Sequence, residues 1–150
     1  MKNHSCFHLA IPVNALDQSV KFYQEVLGCQ VGRTSVHSAI LNFFGHQLVL
    51  HNSDEPVPMQ DGIYPRHFGL VVDDQSDWDD IVDHLEGHKI DFLIEPGVKH
   101  LGEVTEYQTL FFRDPSGHVI EIKTYKNEAA RFDPLEGASL GLDDKRPTRC

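Results

Sequence analysis

Cysteine, tryptophan, methionine and positive charge are all scarce in this sequence, and each scarcity narrows what the protein can be. The three cysteines, Cys6, Cys29 and Cys150, are odd in number and scattered, with no CxxC pair. That usage points to reduced thiols in the cytoplasm and away from a disulfide scaffold. Lysine and arginine number 13 against 23 Asp and Glu, for a net charge of −10 at pH 7. Nucleic acid and anionic membranes both reward clustered Lys and Arg, so neither is expected as the main partner. No apolar run approaches the roughly 20 residues of a membrane-spanning helix. The chain opens on a short polar stretch, with no basic-plus-apolar leader. What remains is a globular protein, expected in the cytoplasm.

Hydrophobic residues at 40% and charged residues at 24% are ordinary for such a protein, and 150 residues suit one domain or two small modules sharing a core. Histidine, with ten residues, is the one excess. Phe7-His-Leu-Ala-Ile-Pro-Val13 alternates as a strand, with His8 and Ala10 on one face and Phe7, Leu9 and Ile11 on the other. Asn14 reads as the N-cap of a helix over 15–27, whose apolar stripe is Leu16, Val20, Tyr23 and Leu27 and whose stop is Gly28. Residues 29–34 read as a strand and 39–51 as a hairpin around Gly45-His46. Residues 52–64 carry Pro56, Pro58 and Gly62 without periodicity and read as a linker.

The second half repeats the first. Arg66-His-Phe-Gly-Leu-Val-Val72 matches the first strand, with His67 on His8 and Gly69 on Ala10. Ser76 reads as a cap and Trp78, Ile81, Val82 and Leu85 as a helical stripe ended by Gly87. A strand over 89–95, a loop over 96–106 and a hairpin over 108–125 follow. The offset between halves is 59 at the first strand (67 − 8) and 72 at the hairpin (117 − 45), so the second half carries a 13-residue insertion (72 − 59), assigned to the 96–106 loop and its flanks. Each half reads β-α-β-β-β. The expected division is one domain over 1–125, with modules at 6–51 and 65–125 joined by the linker at 52–64, and a tail over 126–150 that docks a short segment near Phe132 and Leu135.

The most informative stretch is RDPSGHVIEIKTY at 113–125. Asp114-Pro-Ser-Gly117 is turn chemistry: Pro115 presets φ, Asp114 can bond back to the backbone and Gly117 tolerates positive φ. Glu121 then sits between Ile120 and Ile122 in a strand that otherwise reads as buried. A carboxylate there must be paired, protonated or bound to a metal. Lys123 or an arginine could supply the pair, with the histidines bonding backbone. Two neutral imidazoles and one carboxylate with open positions could equally hold non-haem Fe(II), Mn(II) or Zn(II).

Tandem βαβββ modules, a His at the same place in each first strand, FFRDPSGHVIEI at 111–122 and the FYQEVLG helix end at 22–28 together resemble the vicinal oxygen chelate superfamily. That group holds glyoxalase I, extradiol dioxygenases, fosfomycin-resistance thiol transferases and bleomycin-binding proteins. The resemblance covers about residues 7–125 and implies an α+β fold in which the paired modules curl into a cup-shaped mixed sheet. It also implies a divalent metal on His8, His67 and Glu121, with Fe(II) favoured and Mn(II), Zn(II) or Ni(II) as alternatives. The fourth matched position is Val49, so the pattern departs from the four protein ligands of glyoxalase I and leaves the metal open to a small-molecule substrate. A homodimer, with or without exchanged modules, fits the same pattern.

From strand alternation, Asn42, Val49 and His51 are expected on the cup face of the first module and Gln108, Leu110 and Lys123 on that of the second. Phe44 and Phe112 join them as apolar substrate contacts. His51 is the candidate general acid/base, since imidazole titrates near neutrality. Tyr64, Tyr107, His100, Glu103 and Arg113 flank the covering loops. The leading expectation is a metal-dependent oxidoreductase of the extradiol dioxygenase kind acting on a small, aromatic substrate. A glyoxalase-like lyase or isomerase and a fosfomycin-type thiol transferase are the alternatives, ahead of a drug-binding resistance module.

Overall fold

The computed structural model describes residues 5–132 and residue 134. In order along the chain it contains β1 (His8–Val13), α1 (Leu16–Glu25), β2 (Gln30–Thr34), β3 (Ser38–Phe43), β4 (His46–Asn52), β5 (Phe68–Val72), α2 (Gln75–Gly87), β6 (Phe92–Lys99), β7 (Tyr107–Arg113) and β8 (Val119–Tyr125). A 3-10 turn over Glu128–Arg131 follows, its Arg131 guanidinium on the Asp73 carboxylate. The expected docking at Leu135 lies outside the described residues, and Phe132 is exposed. Each half builds one four-stranded sheet, ordered β1-β4-β3-β2 and β5-β8-β7-β6. In both sheets the first strand pairs in parallel with the last and the other pairs are antiparallel. The α+β pair of modules is as the repeat predicts.

Three local expectations differ. Ser76 does not cap α2, which begins at Gln75 after Asp74. Asn14 does not cap α1: its side chain accepts from the Val57 N–H at 2.7 Å, and its own N–H goes to the Ser116 hydroxyl at 3.0 Å. The Leu16 N–H is taken by Asn52 Oδ1 at 3.3 Å. The start of the helix is thus satisfied from segments distant in sequence, which local pattern reading cannot see. In addition, β6 runs through Pro96 to Lys99 and does not stop at Glu95. It is an edge strand with register shifts on either side of Ile94, a setting in which a residue without an N–H costs little. Part of the 13-residue insertion is therefore strand.

One hydrophobic core serves both halves. It collects Ile11, Leu41, Leu48 and Leu50 from the inner face of the first sheet and Leu110, Phe112, Ile120 and Ile122 from that of the second. Helix α1 lies between them. It packs on β2, β3 and β4 of its own sheet, while the Phe22 ring lies 6.4 Å from that of Phe112 in the other. The fully buried Tyr23 donates its hydroxyl to Asp114 Oδ2 at 2.9 Å. Asp114 Oδ1 takes the N–H groups of Ser116 and His118 at 2.9 and 2.8 Å. Burial raises the Asp114 carboxyl above its ordinary value despite these donors. The Asp-Pro-Ser-Gly turn is thus folded around its own aspartate and tied to α1. The opposite faces of the two sheets, one carrying His8 and the other Glu121, turn away from this shared core.

Candidate metal centre

Glu121 lies at the middle of β8, opposite Gly69 of β5 and Phe111 of β7. Alternation sends Ile120, Ile122 and Thr124 into the core and Glu121 and Lys123 to the outer face. His67 immediately precedes β5 and shares that face. Its Nε2 is 3.3 Å from Glu121 Oε2, with side-chain exposures of 27% and 12%. Glu121 Oε1 accepts from the Thr109 hydroxyl at 2.8 Å and lies 3.2 Å from the Lys123 ammonium. That ammonium also sits 4.6 Å from the centre of the Tyr107 ring and 5.3 Å from that of Tyr125, within cation–π range. The strands come unusually close here: a Cβ on residue 69 would overlap the Glu121 backbone carbonyl.

The tautomer of His67 follows from its other nitrogen. Nδ1 lies 2.9 Å from the Ile63 carbonyl oxygen, which only accepts, so Nδ1 carries a proton. Nε2 therefore faces the carboxylate either as an imidazolium N–H or as a bare lone pair, and a lone pair there needs a cation between it and Glu121. Without a metal the pair is ionic. The bond to Glu121 raises the His67 pKa against the opposing effect of burial. Burial pushes the Glu121 carboxyl up, but His67, Lys123 and Thr109 outweigh it and hold it below its ordinary range. A proton and a divalent ion are interchangeable at such a position, and a ligand imidazole held at its far nitrogen by a carbonyl is the usual outer support of metal sites.

His8 occupies the equivalent place in the first sheet. Ala10 pairs with Val49 as Gly69 pairs with Glu121, and His8 lies opposite Gln47. Its Nδ1 is 2.7 Å from Gln47 Oε1, which again leaves Nε2 free to act as a ligand. Yet the structure brings together only His67 and Glu121. Among the described residues no three His, Cys, Asp or Glu side chains stand close enough to share an ion. His8 presents its half of the set on the outer face of the other sheet.

The expected cup residues separate into two groups. Asn42, Val49 and His51 do lie on the His8 face, since Asn42 pairs with Gln47, and His51 sits exposed at the end of β4. Asn42 spends its side-chain oxygen on the Gly45 N–H at 2.7 Å. Lys123 lies on the Glu121 face. Gln108, Leu110 and Phe112 do not: they pair with Thr124, Ile122 and Ile120 and belong to the inner face, where Leu110 and Phe112 are fully buried. The reason is one residue of turn. Asn42 pairs with Gln47 across four residues (43–46), whereas Arg113 pairs with Val119 across five (114–118). The extra residue reverses the parity of β7, so Tyr107, Thr109, Phe111 and Arg113 share the Glu121 face. Thr109 was missed for that reason; counting partners outward from the Asp114–His118 bond finds it. Phe44 is likewise not on a sheet face. It occupies the Phe44-Gly45 turn with φ of 51° and lines an apolar cleft of about 280 Å³ with Leu27, Ile81 and Ile122.

Tyr107, expected only near the rim, is buried beneath Lys123 with its phenol pushed up to about 12 by burial and by the Glu121 charge. Tyr64 and Phe111 set their rings edge-on to His67, at 6.0 and 5.3 Å. His100 packs on Tyr107 at 5.3 Å and bonds the Thr105 hydroxyl at 3.0 Å. Arg113 holds the linker, reaching the carbonyls of Gln60 and Asp61 at 2.6 and 3.1 Å. No helix among the described residues is long and apolar enough to cross a membrane.

The architecture is a repeated βαβββ unit, with a histidine in or just before each first strand and, in the second unit, a glutamate in the last strand. The chain belongs to the Glyoxalase/Bleomycin resistance protein/Dioxygenase superfamily, whose description matches residues 5–122. Members of this superfamily include transferases and lyases, generally bind a divalent metal and often act as dimers on small molecules. The chain is 25% identical over 118 residues to the metallothiol transferase FosB of Staphylococcus haemolyticus (strain JCSC1435), covering 78% of this chain and 81% of that one. It is 27% identical over 123 residues to the glyoxalase domain-containing protein RDO1 of Mycosarcoma maydis, covering 80% and 68%. Among solved structures, a glyoxalase/bleomycin resistance protein/dioxygenase from Alicyclobacillus acidocaldarius superposes with a TM-score of 0.81 at 34% identity, over 88% of this chain and all of that one.

Proposed function

We propose that this protein is a metal-dependent enzyme whose centre is completed by two copies of the chain, His67 and Glu121 from one and His8 from the other. The observation that carries the reading is the paired aim of His67 Nε2 and Glu121 Oε2, with His67 Nδ1 fixed by Ile63. The matched but separate placement of His8, held by Gln47 in the same way, supports a centre assembled between copies. A divalent ion there supplies Lewis-acid activation of a substrate oxygen. The chain's own residues do the rest. Ile63 and Gln47 orient the imidazoles, Thr109 and Lys123 hold the carboxylate, and Tyr64, Phe111 and Tyr107 wall off water on the module-two side. His51, on the His8 face, is the candidate to move a proton near the site.

Thiol transfer to a small oxygen-bearing substrate is favoured over dioxygenation. Similarity to metallothiol transferases supports this ordering, as does the burial of Leu110 and Phe112, which removes two apolar contacts on which an aromatic-substrate reading rested. Dioxygenation is the second reading, supported by Phe111 and Tyr107 on the Glu121 face.

Mixing variants tests the shared centre. His8→Ala and Glu121→Gln proteins should each bind Mn(II) far more weakly than wild type, and co-expressed chains should regain one intact site per mixed dimer. No recovery, with both variants folded, sinks the shared site. Thiol consumption against O2 uptake, with the metal-loaded protein and panels of electrophiles and catechols, then separates transferase from dioxygenase.

A further inference from the structure

The two oxygens of Glu121 have different surroundings, and this difference reaches beyond the assignment of ligands. Oε2 faces His67 Nε2 at 3.3 Å. Oε1 is saturated, taking the Thr109 hydroxyl at 2.8 Å and the Lys123 ammonium at 3.2 Å, which together use the lone pairs a carboxylate oxygen offers. The ammonium is not a loose surface group. Its side chain is 17% exposed, and its charge is lodged against the Tyr107 and Tyr125 rings. Removing it from Oε1 would strand a desolvated cation, and the hydroxyl of the fully buried Thr109 is already committed to Oε1.

We infer that Lys123 and Thr109 are positioning residues that restrict Glu121 to coordination through Oε2 alone, and thereby select among divalent cations. The inference rests on the metal-centre reading above. Its physical basis is the difference in what ions ask of a carboxylate. Ca(II) needs six to eight oxygens and often takes two of them from one bidentate carboxylate, whereas smaller ions accept one oxygen together with imidazole nitrogen. A carboxylate with one oxygen permanently occupied, beside a fixed positive charge, disfavours Ca(II) most. It leaves room around a smaller ion for substrate. The matched position in the first sheet is Val49, with no carboxylate to restrict, and its neighbour at the place of Lys123 is His51. The device therefore belongs to the second module alone.

The test is the ratio of Mn(II) to Ca(II) affinity, read by calorimetry and thermal shift on purified full-length protein. Lys123→Met frees Oε1 and removes the neighbouring charge. It should lower the Mn(II):Ca(II) ratio at least tenfold, chiefly by gain of Ca(II) binding. Lys123→Arg should keep the wild-type ratio, and Thr109→Val should fall between. A merely structural role would weaken both ions together and leave the ratio unmoved. An unchanged or higher ratio in Lys123→Met overturns the inference while the metal centre stands. If Lys123→Met does not fold, Thr109→Val carries the same decision by the same ratio. If wild-type protein binds neither ion, the metal-centre reading fails and this inference with it.

Discussion

The two sheets have the same strand order and the same register between first and last strands, yet they are chemically unlike. Ala10 faces Val49 where Gly69 faces Glu121, and His8 meets a glutamine where His67 meets a carboxylate. The first sheet presents two histidines, His8 and His51, beside the uncharged Ala10, Asn42, Gln47 and Val49. The second gathers an imidazole, an ammonium and a hydroxyl around one carboxylate, Glu121, at 3.3, 3.2 and 2.8 Å. The two halves of the duplicated fold have thus diverged, with the charged cluster in the second and, in the proposed centre, only His8 offered by the first.

The largest effect should come from the tightest difference. Gly69→Ala drives a methyl into the Glu121 carbonyl and should cost about 3–5 kcal/mol, at the severe end for single substitutions. Ala10→Gly at the matched place should cost only about 0.5–1 kcal/mol. Urea unfolding of both variants measures the contrast, and equal losses would show that the close approach in the second sheet has no special role. Next in size is the ligand itself. Glu121→Gln should weaken Mn(II) binding by about 100-fold or more, beyond the effect typical of outer supports. Val49→Ala should leave binding near wild type and cost about 1 kcal/mol for the lost methyls.

A smaller effect is expected where the halves meet. Tyr23→Phe removes one donor from Asp114 and should cost about 1–2 kcal/mol, with Mn(II) affinity nearly unchanged. A large loss of affinity would mean that α1 sets the metal geometry through the turn. The smallest effect is one of pH on the metal-free protein. His67 is raised by its bond to Glu121. Its contribution is full below the unfolded histidine value of about 6.5 and is lost as pH rises through the higher folded value. Glu121 is depressed, so its contribution is full above the unfolded value of about 4.3 and is lost as pH falls through the lower folded one. The pair therefore stabilises most between about pH 4.3 and 6.5, and stabilisation by added Mn(II) should instead grow as pH rises. Melting temperatures of wild type and Glu121→Gln across pH 4–8 check both trends, and a Glu121→Gln profile parallel to wild type would contradict them.

Much of this was legible in the sequence because it is periodic. The repeat of His8 on His67, the helical stripes and the Asp-Pro-Ser-Gly turn all rest on spacing within one element. Glu121 announced itself as a charge between two isoleucines. What escaped was anything that depends on register between elements. The single extra residue in the Asp114–His118 turn exchanged Leu110 and Phe112 for Thr109 and Phe111, because a one-residue slip moves every side chain of a strand to its other face. The helix start escaped for a similar reason, since its donors are met by Asn52 and its neighbours are held by Ser116 and Val57, all far along the chain. Two readings of Glu121, ion-paired with Lys123 or a metal ligand, were set against each other. The geometry allows both at once, on different oxygens.

The bond from Tyr23 to Asp114 joins residues 91 positions apart, and with Phe22 against Phe112 it ties a helix of the first half to the second. Such contacts form only after most of the chain has been made and brought together, a sequence separation that slows folding. Either half alone would expose one side of α1 or the sheet meant to cover it. A chain cut within 53–65 is therefore expected to yield two fragments that are insoluble apart and soluble together. The ancestral unit, if it stood alone, needed another copy of itself to complete its interior.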